Sequence, residues 1–158
     1  MITDTELRLD IAALYADYAA CLDNGEFQAW PEFFTEECRY RVVARENHAE
    51  GLPLSVSDLR SRNALKDRVY GIEDTIFHAP YYQRHIIGPA RIRGREGDVI
   101  STEANYLVIR TKRDLRSDLF NAGRYLDKIV RAGDRLLFAE KICVYDSEII
   151  PNSLIYPV

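Results

Sequence analysis

Apolar positions in the first part of the chain recur at three and four residues, at Leu7, Ile11, Leu14, Tyr15, Tyr18 and Leu22. That spacing lays one apolar stripe along a helix. The order Thr3-Asp-Thr-Glu6 opens it as a capping box and Asn24-Gly25 closes it. Phe27, Trp30, Phe33 and Phe34 then crowd around Pro31, whose ring interrupts regular helix and predicts a short helical turn carrying an aromatic plug. In Cys38-Arg-Tyr-Arg-Val42 the period changes to two, which predicts a half-buried strand. Residues 46–62 have no period and carry Gly51, Pro53, Ser55, Ser57, Asp58 and Ser61, so they predict a long loop. A second helix begins near Asn63, with Leu65, Val69, Ile72 and Ile76 on one side.

Everything beyond that helix reads as sheet. Residues 82–95, 99–113, 119–130 and 135–146 are long apolar segments rich in β-branched and aromatic side chains. Gly- and Asp-containing turns separate them, as hairpins require. Gly88-Pro89 falls inside the first of these, and a prolyl nitrogen cannot hold a ladder hydrogen bond, so a bulge or bend is predicted there. Helices followed by consecutive strands indicate an α+β fold in which a curved antiparallel sheet wraps over N-terminal helices. With no repeat or linker, residues 1–158 read as a single domain. Tyr106-Leu-Val-Ile109, Leu136-Leu-Phe138, Ile149-Ile150 and Leu154-Ile-Tyr156 are apolar at consecutive positions. Strands of that kind offer apolar side chains on both faces and predict contact with another subunit.

Charge narrows the partners. Twenty-one basic and 25 acidic residues are mixed along the chain for a net charge of −4, leaving no basic face to neutralise phosphates. Nucleic acid is therefore not expected. No apolar run approaches the roughly 20 residues that span a bilayer, and the first residues lack the basic and apolar regions of a signal peptide. A cytoplasmic protein without a membrane partner is expected. Cys21, Cys38 and Cys143 are odd in number and sit within apolar patterns, which suits small core residues in a reducing compartment.

No group of residues makes a complete catalytic or redox motif. The paired cysteines and histidines of a Rieske cluster, and the two histidines plus carboxylate of a mononuclear iron, are not recognisable. His48, His78 and His85 are the three histidines; His78 and His85 flank residues 79–82 and could converge with Glu73 or Asp74. Hydrogen-bonded or interface roles are the expected ones. Asp23 with Glu26, Glu36 with Glu37, Glu73 with Asp74, and the single Asp127 are the carboxylates to weigh for acid and base roles, and most lie where capping or solvation explains them. Tyr15, Tyr18 and Tyr40 read as a core aromatic cluster. Ser55, Ser57 and Ser61 lack a nucleophile elbow. Arg91, Arg93 and Arg95 share one strand face by the two-residue period, with Arg84 nearby, as a solvated edge or a docking surface. The expected site list is therefore empty: no catalytic, cofactor-binding or metal-binding residue in this chain.

Several segments in order nonetheless resemble one family. These are Trp30-Pro-Glu-Phe-Phe34, Cys38-Arg-Tyr-Arg41, Asn47-His-Ala-Glu-Gly51, Tyr82-Gln-Arg-His85, Ile87-Gly88, Gly123-Arg-Tyr-Leu-Asp127 and Glu140-Lys-Ile-Cys-Val-Tyr-Asp146. Together they resemble the small (β) subunit of aromatic-ring-hydroxylating Rieske oxygenases, along essentially the whole chain. The resemblance implies a cone of the cystatin-like or nuclear-transport-factor-like kind, built around a threefold axis into an α3β3 hexamer with a large subunit. In such enzymes the large subunit carries the [2Fe-2S] Rieske cluster and the mononuclear Fe(II), and the small one scaffolds it. Cys38-Arg-Tyr-Arg41 and Asn47-His-Ala-Glu-Gly51 look most like subunits acting on benzoate-type acids (salicylate, terephthalate, anthranilate), with a salicylate 5-hydroxylase-like system the first expectation. The alternative is a free-standing isomerase, dehydratase or hydrolase on the same cone, or a small-molecule binder. Ketosteroid-isomerase-like relatives pair a tyrosine on the first helix, here Tyr15, with a base on the first strand. By alignment through Phe33-Phe34 the base falls near Val42, which cannot accept a proton.

Overall fold

The computed structural model describes residues 4–147 and 154–158. Helix α1 (Asp4–Asp23) buries the predicted stripe together with Cys21. Its expected cap, Thr3, lies outside the described residues, as do Ile149 and Ile150. Gly25, at φ +71°, reverses the chain so that the Glu26 N–H returns to the Cys21 carbonyl at 2.9 Å. A 3-10 helix (Phe27–Phe33) then drives Trp30 and Pro31 inward as the aromatic plug. Strand β1 (Phe34–Ala44) is followed by a short helix α2 (Arg45–Ala49), a three-residue strand β2 (Ser57–Leu59) and helix α3 (Arg62–Tyr70), capped by the Ser61 hydroxyl on Ala64 N–H at 3.0 Å. A π-helical turn, Gly71–Thr75, ends the helical part.

Strands β3 (Tyr81–Ile87), β4 (Arg91–Glu96), β5 (Val99–Lys112), β6 (Asp118–Ala132) and β7 (Arg135–Tyr145) complete a seven-stranded sheet. Its order is β2-β1-β7-β6-β5-β3, with β4 also against β5. The expected α+β cone is present, and three details differ from the sequence reading. The sheet is mixed, because β1 runs parallel to β7 while all other neighbours are antiparallel. No hairpin ties β1 to β7; the helical crossover and the whole meander separate them, so nothing local imposes an antiparallel pairing.

The second difference is at Gly88-Pro89, where the predicted single strand divides. The Gly88 N–H makes a last tie to the Asn105 carbonyl at 2.8 Å, the prolyl nitrogen has no proton to give, and β4 restarts on the same partner. Within β4 the register shifts between Ile92 and Gly94, which puts Arg91 opposite Glu103 and Arg95 opposite Ile100. Directly opposed residues share a face, so the bulge at Arg93 sends Arg95 to the face opposite Arg91 and breaks the predicted three-arginine row. The third difference is the segment 46–62, which is not one loop: α2 and β2 lie within or against it.

The sheet has an inner face under α1 and α3 and an outer face turned away from them. Inward residues of β5 are the even positions, Ile100 to Arg110, all buried. Outward residues are the odd ones.

Candidate functional site

The inner face carries a row of polar side chains across four strands. Register places Thr102 of β5 opposite Asp127 of β6, Asp127 opposite Lys141 of β7, and Lys141 opposite Tyr40 of β1. Lys141 is 0 % exposed and its ammonium donates to Asp127 Oδ2 at 3.0 Å. Tyr15 of α1 completes the row from above: its hydroxyl donates to the same carboxylate oxygen and lies 3.0 Å from Thr102 Oγ1. The ammonium also sits 3.5 Å from the centroid of the Tyr125 ring, with Phe138, Tyr18 and Tyr15 within 5 Å. A buried cation needs such a box of ring faces and a carboxylate to replace its lost hydration.

Burial raises the Asp127 carboxyl above its ordinary range, and the Lys141 ammonium opposes that shift. Burial, then the Asp127 charge, holds the Tyr15 hydroxyl well above the ordinary phenol range, so it acts as a fixed donor. Burial likewise pushes the thiols of Cys21 and Cys38 up to about 11 and that of Cys143 to about 12. All three are free and buried, and at neutral pH they are packing groups rather than thiolates.

The rest of the cone interior is filled by aromatic rings and by the chain's own last residues. Arg68 of α3 donates to the carbonyls of Leu154 and Ile155 at 2.8 and 2.9 Å. The Tyr156 ring stacks on Phe27 at 4.8 Å, and its hydroxyl meets His78 Nε2 at 2.8 Å. The Val158 carbonyl accepts from the hydroxyls of Tyr18 and Tyr40 at 2.9 and 3.1 Å, beneath Trp30. Tyr18 and Tyr40 are thus core residues that hold the tail.

The remaining sequence candidates are dispersed. His78 serves Tyr156, while His85 Nδ1 pairs with Asp23 at 2.6 Å and the same carboxylate takes the His85 N–H at 2.9 Å. Glu73 bonds Gln28, and Glu36 pairs with Arg62 at 2.5 Å, so neither reaches a histidine. Glu26 accepts from Asn24 at 3.4 Å. Ser55 accepts from Arg41 at 2.5 Å and Ser61 caps α3. Among the described residues no group of three or more His, Cys, Asp or Glu is placed to hold a metal ion. The donors for a Rieske cluster or a mononuclear iron therefore do not come together in this part of the chain. Val42 is fully buried, and the carboxylate that meets Tyr15 is Asp127, two strands along the sheet from β1. Sequence spacing alone hides that partnership, since 112 residues separate the two. A groove of about 500 Å³ runs between α1 and the β3–β4 junction, past Ala12, Ala16, Ala19 and His85.

The outer face is divided. On β1 and β7, Val43, Ile142 and Val144 are buried with Leu126 packed against them. Helix α2 packs on both strands there, and Arg41 ties the following segment down by donating to Ser55 and to the Leu52 carbonyl. On β3, β5 and β6 the register sets Tyr82 beside Thr111, Ile86 beside Leu107, and Ile109 beside Leu119. Tyr82 is 79 % exposed, Leu119 63 % and Ile86 56 %, and none of the described residues covers them. Between the halves Arg91, Arg93 and Arg124 converge on Glu103 at 3.4 to 3.6 Å.

Comparison with known proteins matches residues 3–141 to the SnoaL-like domain. The chain is 33 % identical over 156 residues to the anthranilate 1,2-dioxygenase small subunit of Burkholderia cepacia, covering 98 % of this chain and 96 % of that one. It is 31 % identical to the terephthalate 1,2-dioxygenase terminal oxygenase component subunit beta 1 of a Comamonas species, covering 95 % and 97 %. Among solved structures, a beta subunit assigned to an aromatic-ring-hydroxylating dioxygenase of Novosphingobium aromaticivorans superposes with a TM-score of 0.88 at 36 % identity, covering 96 % and 97 %.

Proposed function

This chain belongs to the SnoaL-like domain family, among the small subunits of aromatic-ring-hydroxylating dioxygenases, and from that premise we propose that it is the scaffold of an oxygenase whose chemistry resides in a large subunit. The large subunit would carry the [2Fe-2S] Rieske cluster and the mononuclear iron, and three small subunits would hold three large ones as α3β3. The holoenzyme would act on a benzoate-type aromatic acid, with salicylate 5-hydroxylation our first choice.

One observation carries this reading: the bare half of the outer face. Tyr82, Ile86, Leu107, Ile109 and Leu119 form an apolar patch on neighbouring strands, with the exposed Arg84 among them opposite Ile109. Apolar patches of that kind mark protein contacts. The interior supports it from the other side, since rings, an ion pair and the tail fill the space where a free-standing cone enzyme would take its substrate. The part this chain plays is geometric: it sets how far apart the large subunits stand.

Coexpression with a large subunit, followed by light scattering and salicylate-dependent oxygen consumption, tests the proposal. A complex near three plus three subunits, active only when assembled, is expected. A monodisperse lone chain with no affinity for the large subunit would sink it. A second reading, a small-molecule binder, would use the α1–β3 groove beside the His85–Asp23 pair. Ligand-dependent melting of the lone chain would favour that one.

A further inference from the structure

The two ends of the sheet carry complementary surfaces. The tip joining β5 to β6 holds Lys112, Arg113, Arg116 and one acid, Asp114, 4.0 Å from Arg113; Leu115 at its apex is 65 % exposed. Asp118, just past the tip, is already engaged by Arg110 at 2.9 Å. The tip is therefore a basic collar around one bare leucine.

The opposite end, where Gly133 and Asp134 turn β6 into β7, meets the first half of α1. A groove of about 190 Å³ lies there, lined by Asp10, Asp17 and Asp134 around a floor of Ala13, Leu14, Phe33 and Leu136. Arg135 is the one base in the lining, and Asp10 is paired with Arg131 at 2.6 Å. Leu9, one turn before Ala13, extends the apolar floor to the surface. Small-molecule pockets run from about 300 to 1,000 Å³, so a groove this size suits a single aliphatic side chain.

We propose that the Leu115 tip of one copy seats in the Asp10–Asp17–Asp134 groove of the next, so that copies of this chain close head to tail into a ring. Within one molecule the two surfaces cannot meet, because the 15 residues of β6 separate them by about 50 Å at roughly 3.3 Å each. A self-complementary twofold contact through the tip is disfavoured, since it would set arginine against arginine. A heterologous contact between different patches instead generates rings when its rotation closes. The bare outer half lies on the faces of β3, β5 and β6 beside the tip rather than on the tip itself, and stays open to the large subunit. This inference rests on the threefold assembly proposed above and names the contact that makes it.

Charge reversal tests it in the coexpressed complex. Arg113→Glu/Arg116→Glu, or Asp17→Arg/Asp134→Arg, weakens association between small subunits at least about tenfold, read as lost mass by light scattering at fixed concentration. The four changes in one chain restore the pairing with signs exchanged and recover the wild-type mass. Reversals that leave the mass unchanged, or a fourfold variant that folds by circular dichroism yet does not recover it, overturn the tip-and-groove contact while the threefold assembly stands. A wild-type complex without three small subunits overturns the assembly itself, and the ring with it.

Discussion

Each face of the sheet carries a few residues of the polarity its surroundings do not favour, and these exceptions separate what the chain needs for itself from what it offers to others. On the inner face a lysine and an aspartate are fully buried, in a row with Thr102 and Tyr40 and under a ring of tyrosines. On the outer face Tyr82, Ile86 and Leu119 stand in solvent. The inner row is paired within the chain, since Asp127 Oδ2, Lys141, Tyr15 and Thr102 bond one another, with Asp127 Oδ1 left without a hydrogen-bond partner among the described residues. The outer apolar row is left uncovered by the described residues, which is what the proposed partner contact would explain. The outer β1–β7 half shows the same lesson in small: where α2 folds back, Val43, Ile142 and Val144 are buried without outside help.

The strongest way to break the inner face is to remove one charge. Lys141→Met leaves Asp127 buried and unpaired and should cost about 4 kcal/mol. Urea unfolding of the lone chain measures it, and Lys141→Met with Asp127→Leu should recover most of the loss. A cost near zero would mean the pair is not buried as described. On the bare outer half the expected pattern is reversed. Tyr82→Asp with Leu119→Asp should leave the unfolding of the lone chain within about 0.5 kcal/mol of wild type. The same pair should weaken association with the large subunit about 100-fold, roughly 2.7 kcal/mol. Equal affinity in a pull-down titration would remove this surface from the interface.

The covered outer half should behave like core. Ile142→Ala should cost about 2 kcal/mol in the lone chain, with little effect on assembly once folded. The smallest effect comes from His48 on α2. Its imidazole is held below its ordinary 6.5 by burial and by the neighbouring charges of Arg124 and Arg41. The unfolded chain therefore takes up that proton more readily than the folded one. The contribution is fully present above about pH 6.5 and is lost as pH falls through that value. Melting curves from pH 8 to 5 should show a decline in wild type that His48→Gln reduces.

Much of the fold was legible because its causes are local. The Leu7–Leu22 stripe, the Pro31 plug and the four long apolar segments each announce their element through period and breaker, and each forms close to where it is predicted. Gly88-Pro89 was legible as a defect but not as a strand end, because whether the chain resumes on the same partner depends on β5. The Arg91–Arg95 face misled because a bulge at Arg93 leaves no mark in a two-residue period. Segment 46–62 looked like open loop because its anchors lie outside it: Arg41 reaches into it, and β2 exists only against β1.

Gly123 shows the same dependence at a single residue. A Cβ there would run into the Val144 carbonyl oxygen and lie 2.8 Å from Tyr145 Cα, a constraint set by the neighbouring strand and invisible in β6 alone.

The sequence by itself determined the elements, the α+β order and, through ordered short segments, the family. Those depend on period, turn chemistry and composition, which act over a few residues. Only the tertiary structure decided that Asp127 meets Lys141 and Tyr15, that β1 lies parallel to β7, and which half of the outer face is left bare. These follow from register and from curvature, which bring together residues from 14 to 112 positions apart; no local pattern encodes the distance between them.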